Sequence, residues 1–325
     1  MKKLLIICIM LATTTVWGAD ELLAGKAFTD PSKQVDMPQE WIEQSIKYEK
    51  WAEGADMAVS LDQQLYPALL PVIQQYAVQH KIDIAVQEGT CGTSAKALKD
   101  KIADIAGFCC PPSETDRLPG IKFHTLGIGA LALLVNPKNL VDNLTFEQVQ
   151  KIFQGSIFRW SDVNGTKRMI QVLGRLHCKQ RPGHWRLILD NEDLFSPRMS
   201  EISTIPDMIS EVANNPYAIG YETLFNQSRS KTKILSIDSV SPTDSEKLIN
   251  GDYPLYRTFN ITTWESNPNV KVQELLKYLI KHMKNIDPKY GIVSVQKLRT
   301  AGWKFQDNEI IGEPNIQNSV IHQNR

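Results

Sequence analysis

No C-x-x-C pair and no C-x-x-C-H occurs, which sets aside a zinc ribbon, a thioredoxin-like centre and covalent attachment of a c-type haem. Glycine and proline are unremarkable at 18 and 17 of 325 residues, and there is no repeat period or low-complexity block. Solenoid, fibrous and disordered classes are therefore excluded. Charge of one sign is also missing, with 36 Lys and Arg against 36 Asp and Glu. Neutralising a nucleic-acid backbone needs a basic surplus, so no nucleic-acid partner is expected. Beyond the first residues no apolar run is long enough to span a bilayer, so no membrane span is expected in the mature chain. What is present is an apolar fraction of 42% in a chain long enough for one large or two modest domains.

The first residues do carry one apolar run. Met1-Lys2-Lys3 precedes Leu4 to Ala12, and Val16 and Gly18 stand at the −3 and −1 positions of a cleavage site. This is the pattern of a secretory signal over residues 1–18, which places the product in the periplasm or outside the cell. Removing Lys2 and Lys3 takes the 36 basic residues to 34 against 36 acidic ones, a mature charge of two negative. Cys8 leaves with the signal. Cys91, Cys109, Cys110 and Cys178 remain, and an oxidising compartment makes disulfides the leading expectation for an even set.

Residues 19–55 are polar and aromatic-bearing and read as an N-terminal extension, with Trp41 and Trp51 flanking a helix from about Pro38 to Glu53. Alternating strand and helix patterns follow. Met57 to Ser60 reads as a strand, and Gln63 to His80 as a helix with Leu65, Leu69, Leu70, Ile73 and Tyr76 at helical spacing. A strand from Ile82 to Gln87 ends in Glu88-Gly89-Thr90-Cys91-Gly92-Thr93-Ser94, before a helix from Ala95 to Ile102 capped by Thr93 or Ser94. Glycines, hydroxyls and the unpaired N–H groups of a helix start can hold an anion there, although an ordinary capped helix explains the same letters. The next strand, Ala103 to Phe108, ends at Cys109-Cys110. Thr145 caps a helix that Gly155 stops, and strands recur at Gln171 to Leu173, Ala218 to Tyr221 and Thr258 to Thr262. The class is α/β.

Six phrases stand in a telling order: Gly89 to Leu98, Ala103 to Pro112, Ala130 to Pro137, NLTFEQVQKIFQGSIFRWSD from Asn143, ANNPYAIGY from Ala213 and YPLYRTF from Tyr253. Together they resemble the phosphate-type periplasmic solute-binding proteins of ABC importers. That resemblance implies a two-lobed type II periplasmic binding protein fold with two crossover strands, near Ala130 to Pro137 and Pro254 to Ile261. Residues 56–133 plus 258–310 would form lobe 1, residues 134–257 lobe 2, and 311–325 a C-terminal tail. A small anionic solute would sit between the lobes, at strand ends and helix starts, and a membrane importer or sensor subunit would be the partner.

The resemblance also implies site residues. The family's glycine- and serine-rich anion loop falls on Glu88 to Ser94, which points to Thr90, Cys91, Gly92, Thr93 and Ser94. The next site strand ends at Cys109 and Cys110. Arg175 keeps the place of the oxyanion-binding arginine, while Leu176 to Trp185 replaces the Gly-Ser-Gly-Thr turn that usually follows it. The ligand is left open.

Three readings of the cysteines compete. One pairs Cys91 with Cys109 or Cys110 and the remaining cysteine with Cys178 across the cleft, fixing the lobes. In the second, Cys178 with His177 and His184 holds a soft metal ion or a thiophilic arsenic species. The third, a thiol nucleophile or redox enzyme, has no motif behind it, so no catalytic residue and no required cofactor are expected. Solvent exposure is the ordinary reading of the basic residues Lys167, Arg168, Arg175, Lys179, Arg181 and Arg186. Oxyanion or related solute binding leads the functional readings. The alternatives are an interaction or assembly subunit with a disulfide-fixed cleft and a soft metal or arsenic-binding protein.

Overall fold

The computed structural model describes residues 28–175, 187–189, 192–224 and 230–314. In chain order the elements are α1 (Gln39–Glu43), β1 (Met57–Asp62), α2 (Tyr66–His80), β2 (Ile84–Gly89), α3 (Cys91–Lys99), β3 (Ile105–Phe108), β4 (Ile121–Val135), β5 (Asn143–Leu144) and α4 (Phe146–Gln154). Then come β6 (Gln171–Arg175), β7 (Ser200–Ile202), α5 (Ile205–Asn214), β8 (Ala218–Thr223), β9 (Lys233–Ile234), β10 (Ser236–Ile237), α6 (Ser245–Ile249) and β11 (Tyr256–Trp264). The chain continues through α7 (Val270–His282), β12 (Ile292–Ser294), α8 (Val295–Thr300), β13 (Lys304–Gln306) and β14 (Glu309–Gly312).

One sheet runs through the molecule in the order β2-β1-β3-β11-β4-β8-β6-β7, with β12 and β9 also paired to β4. The outer pairings at each end are parallel, β1 with β2 and β3 at one end and β6 with β7 and β8 at the other. The centre is antiparallel. β4 pairs with β11 from Ile121 to Ala130 and with β8 from Leu131 to Val135, so this one strand passes from the first half-sheet into the second. β4 and β11 are the two crossover strands of a two-lobed fold, and β4 begins nine residues before the crossover expected from Ala130.

Each half builds its own core. β1 is a wholly buried run because α2, α3 and α7 cover the first half-sheet, and Met57, Val59 and Leu61 pack with Leu69, Ile73, Leu275 and Leu279. In the second core Leu131, Leu133 and Val135 meet Val149, Phe153, Val172, Val212 and Tyr221. Val293, Leu298, Trp303 and Ile310 also belong to that second core, although they follow the return of β11.

Local chemistry sets the helix ends. The Thr145 hydroxyl accepts from the Gln148 N–H, and Gly155 closes α4 with a left-handed φ of 84°. The extension corrects an expectation, since the helix from Pro38 to Glu53 is broken after Glu43. The Lys101 ammonium takes the Ile42 and Gln44 carbonyls at 3.0 and 2.7 Å, and the Lys47 N–H is spent on the Lys101 carbonyl at 2.9 Å. These tertiary partners replace the helical ladder. Trp41 lies 5.9 Å from Trp264, so the extension is laid on lobe 1.

Candidate functional site

The register of β1 against β2 sets Asp62 beside Gly89, at the start of the Thr90-Cys91 turn. Thr90 is the N-cap of α3 and closes a capping box with Thr93, so the helix begins at Cys91, four residues before the expected start at Ala95. That cap uses the Thr90 and Thr93 hydroxyls on one another and on the helix backbone. Ser94 turns inward and donates to the Ser60 carbonyl at 3.2 Å. Gly92 and Thr93 face solvent. The anion loop implied by the resemblance thus has its hydroxyl groups engaged within lobe 1.

Starting α3 at Cys91 carries the thiol inward. β3 ends at Phe108, and the next two residues bring Cys109 and Cys110 to the same point. The Cys91 Sγ lies 3.4 Å from that of Cys109 and 3.8 Å from that of Cys110, and the third side of the triangle is 4.0 Å. These are thiols, with sulfurs well beyond the ~2.05 Å of a disulfide bond. The expected bridge from Cys91 to Cys109 or Cys110 is not present in this arrangement, in which the three sulfurs lie in contact in one pocket. The Cys109 N–H donates to Cys91 Sγ at 3.3 Å, and Arg257 Nη1 stands 3.5 Å from Cys109 Sγ.

Arg257, on β11, continues the network into the second lobe. Its Nη2 reaches Glu222 Oε1 at 3.4 Å, the Gln64 amide donates to the same oxygen at 2.9 Å, and Arg175 Nη1 donates to Glu222 Oε2. Thr223 Oγ1 donates to Gln64 Oε1, which holds the amide in place. None of Cys91, Cys109, Cys110, Arg175, Glu222 and Arg257 exposes more than 5% of its surface. The cluster is closed. It joins β1 and β3 of one lobe to β6 and β8 of the other through a carboxylate held between two guanidiniums.

Burial shapes its protonation. Asp62 is pushed up to about 6 by desolvation, against the Gln64 amide, the Cys109 thiol, the Leu65 amide and the Arg257 charge. For Cys91 the Cys109 hydrogen bond favours the thiolate, but the Cys110 contact, burial and the charges of Cys110 and Asp62 outweigh it and raise the thiol well above its usual range. Cys109 is raised likewise, with the Cys110 bond opposed by the Cys91 contact, burial and Asp62. Both sulfurs are neutral near pH 7.

The structure thus brings Cys91, Cys109 and Cys110 together and links them to Arg175 through Arg257 and Glu222. Arg175 is expected among solvent-facing basic residues as well as in the site, and it is buried, whereas Lys167 and Arg168 are exposed. Cys178, His177 and His184 lie outside the described residues. Asp62, Gln64, Glu222 and Arg257 were not anticipated. The signal for Arg257 was legible, because a charge inside the apolar YPLYRTF strand needs a buried partner.

Residues 51–282 match the family described as the PBP superfamily domain, more than two thirds of the chain. The chain belongs to the PBP superfamily. Within it, the phosphate-binding protein PstS of Bacillus subtilis (strain 168) is 24% identical over 256 residues, covering 78% of this chain and 82% of that protein. The PstS of Staphylococcus saprophyticus is 24% identical over 268 residues, 76% of this chain and 82% of the relative. Among solved PBP-type structures, an ABC-type phosphate transport receptor from Vibrio cholerae superposes with a TM-score of 0.63 at 24% identity over 73% of this chain and 99% of that one. A putative phosphate ABC transporter substrate-binding protein from Clostridium perfringens, with bound phosphate, gives 0.65 at 18% identity over 74% of this chain and 99% of its own. The two-lobed fold is that of these receptors, and the family match makes this chain a solute-binding protein. No helix among the described residues is long and apolar enough to cross a membrane.

Proposed function

We propose that the protein is exported behind residues 1–18, takes a small oxyanion between its two lobes and presents it to a membrane ABC importer, without acting on it as an enzyme. The observation that carries this reading is the grip of Arg175 and Arg257 on the Glu222 carboxylate. Two guanidiniums from different strands converge on one pair of oxygens at the junction of the lobes. Such a junction holds an oxyanion by charge-assisted hydrogen bonds. In the closed state Glu222 fills that role, so an incoming oxyanion exchanges with Glu222 as the lobes move. The relatives named for phosphate binding support the same chemical class.

Calorimetric titration of the purified protein with phosphate, arsenate and sulfate tests this. One oxyanion should bind one-to-one, and Arg175→Ala should weaken it by about 100-fold or more. Glu222 seated on both arginines also favours a second reading, an interaction subunit with a permanently self-filled cleft. Absence of heat and of any melting shift with all three anions would overturn oxyanion capture and leave that second reading standing.

A further inference from the structure

We propose that Cys91, Cys109 and Cys110 form a three-sulfur site for a trivalent thiophilic centre, of which arsenite is the accessible probe. This goes beyond the receptor reading, and it holds whether or not an oxyanion exchanges with Glu222.

Geometry comes first. A centre with bonds to sulfur of about 2.3 Å and bond angles between about 100° and 120° needs sulfurs about 3.5 to 4.0 Å apart. The three observed separations are 3.4, 3.8 and 4.0 Å. Two sides of the triangle fall within that range and the third lies just short of it, before any ion is present. Helix α3 and the end of β3 fix it, and the Cys109 N–H already donates to the Cys91 sulfur. Among the described residues these sulfurs are the one group of His, Cys, Asp and Glu atoms that can share an ion, all within 4.8 Å of one another.

Coordination number and charge then choose the class of ligand. Structural zinc takes four ligands, and among the described residues no fourth His, Cys, Asp or Glu atom lies within 4.8 Å of all three sulfurs, the Asp62 carboxylate meeting the triangle from the Cys109 side. Three thiolates carry three negative charges. A monovalent ion would leave two of them uncompensated and a divalent ion one, in a buried pocket beside Asp62. Arg257 offsets little, because it is shared with Glu222. A trivalent centre leaves the assembly neutral, which is the inexpensive way to fill a dry pocket.

Binding balances without an oxidant. Three S–H bonds and the three As–OH bonds of arsenous acid break, three As–S bonds form and three waters leave. Arsenic stays trivalent throughout.

The test titrates arsenite into the reduced full chain under anaerobic conditions, followed by calorimetry and by near-ultraviolet sulfur-to-arsenic absorption. One equivalent should saturate the band. Cys91→Ser, Cys109→Ser and Cys110→Ser should each weaken binding by about 100-fold or more, whereas Cys178→Ser should stay within about threefold of the parent chain. Thermal melts without arsenite show which variants fold, and X-ray absorption on the unmutated protein counts the ligands independently. Three sulfurs around arsenic support the site. Two sulfurs, a stoichiometry other than one, a strong effect of Cys178→Ser, or tighter binding of zinc than of arsenite would each overturn it. Phosphate and arsenate run in parallel keep the two readings apart: arsenite binding lost with oxyanion binding intact sinks only the three-sulfur site, and the converse sinks only oxyanion capture.

Discussion

Arg257 ties a sulfur to a carboxylate: its Nη1 lies 3.5 Å from Cys109 Sγ while its Nη2 lies 3.4 Å from Glu222 Oε1. One side chain thus spans the first lobe's thiol pocket and the second lobe's charged pair. Replacing it with Met keeps most of the stem and deletes the fork, leaving Glu222 to Arg175 and Gln64. Removing one partner of a buried ion pair costs about 3–5 kcal/mol. Because Arg175 still holds Glu222, Arg257→Met should lower stability by less, about 1.5–3 kcal/mol in urea unfolding, and a loss under about 1 kcal/mol would show that the Arg175–Glu222 contact suffices alone.

On the proposed reading, Glu222 competes for the two guanidiniums that an oxyanion would use. Glu222→Gln preserves shape and removes the charge, so phosphate or arsenate should bind at least about tenfold tighter, or about 1.4 kcal/mol. Calorimetry on the parent and the variant reads the difference directly. Equal or weaker affinity would mean that the anion and Glu222 do not share a seat.

Much of this fold was written in local pattern. The Thr145 cap, the Gly155 stop and the strand from Gln171 are decided by near neighbours, and the structure places them as expected. The convergence of Cys91, Cys109 and Cys110 was partly legible, since each closes or follows a strand that ends toward the other lobe. Three things were hidden. The start of α3 depended on a reciprocal Thr90–Thr93 bond that competes with two later hydroxyl residues for the same role. The break after α1 depended on a lysine 58 residues beyond Glu43, whose ammonium takes the extension's carbonyls. Glu222 lies one residue past the ANNPYAIGY phrase, and only the packing of β6 beside β8 and of β11 beside β4 brings Arg175 and Arg257 to it.

A second buried pair anchors the extension and the chain's late hairpin to lobe 1. Arg117 Nη2 donates to Glu309 Oε1 at 2.7 Å and its Nη1 to Oε2 at 3.2 Å, while Thr29 offers its carbonyl at 2.9 Å and its hydroxyl at 2.8 Å. Glu309→Ala strands the Arg117 charge, and a stability loss of about 3 kcal/mol is expected. Limited proteolysis should also cut near Thr29 or the β13–β14 hairpin faster in the variant. Unchanged cleavage there would show that these segments are held by their apolar contacts.

Acid sensitivity should report on His124. The ring is buried on β4, with Nε2 2.8 Å from Thr263 Oγ1 and Nδ1 3.4 Å from the Asn308 amide, so it sits neutral between two hydrogen-bonding neighbours. Desolvation lowers it from 6.5 to about 4; Asp307 pulls the other way and Lys122 adds to the fall. Between those values the unfolded chain takes up a proton that the folded chain refuses. Stability from this group is therefore complete above about pH 6.5 and declines as pH falls toward about 4. From pH 7 to pH 4.5 the loss is about 2 kcal/mol. His124→Gln removes the titration while keeping an N–H for Thr263, so its urea midpoint should fall less over the same interval. Equal falls in the two proteins would place the proton uptake on other groups.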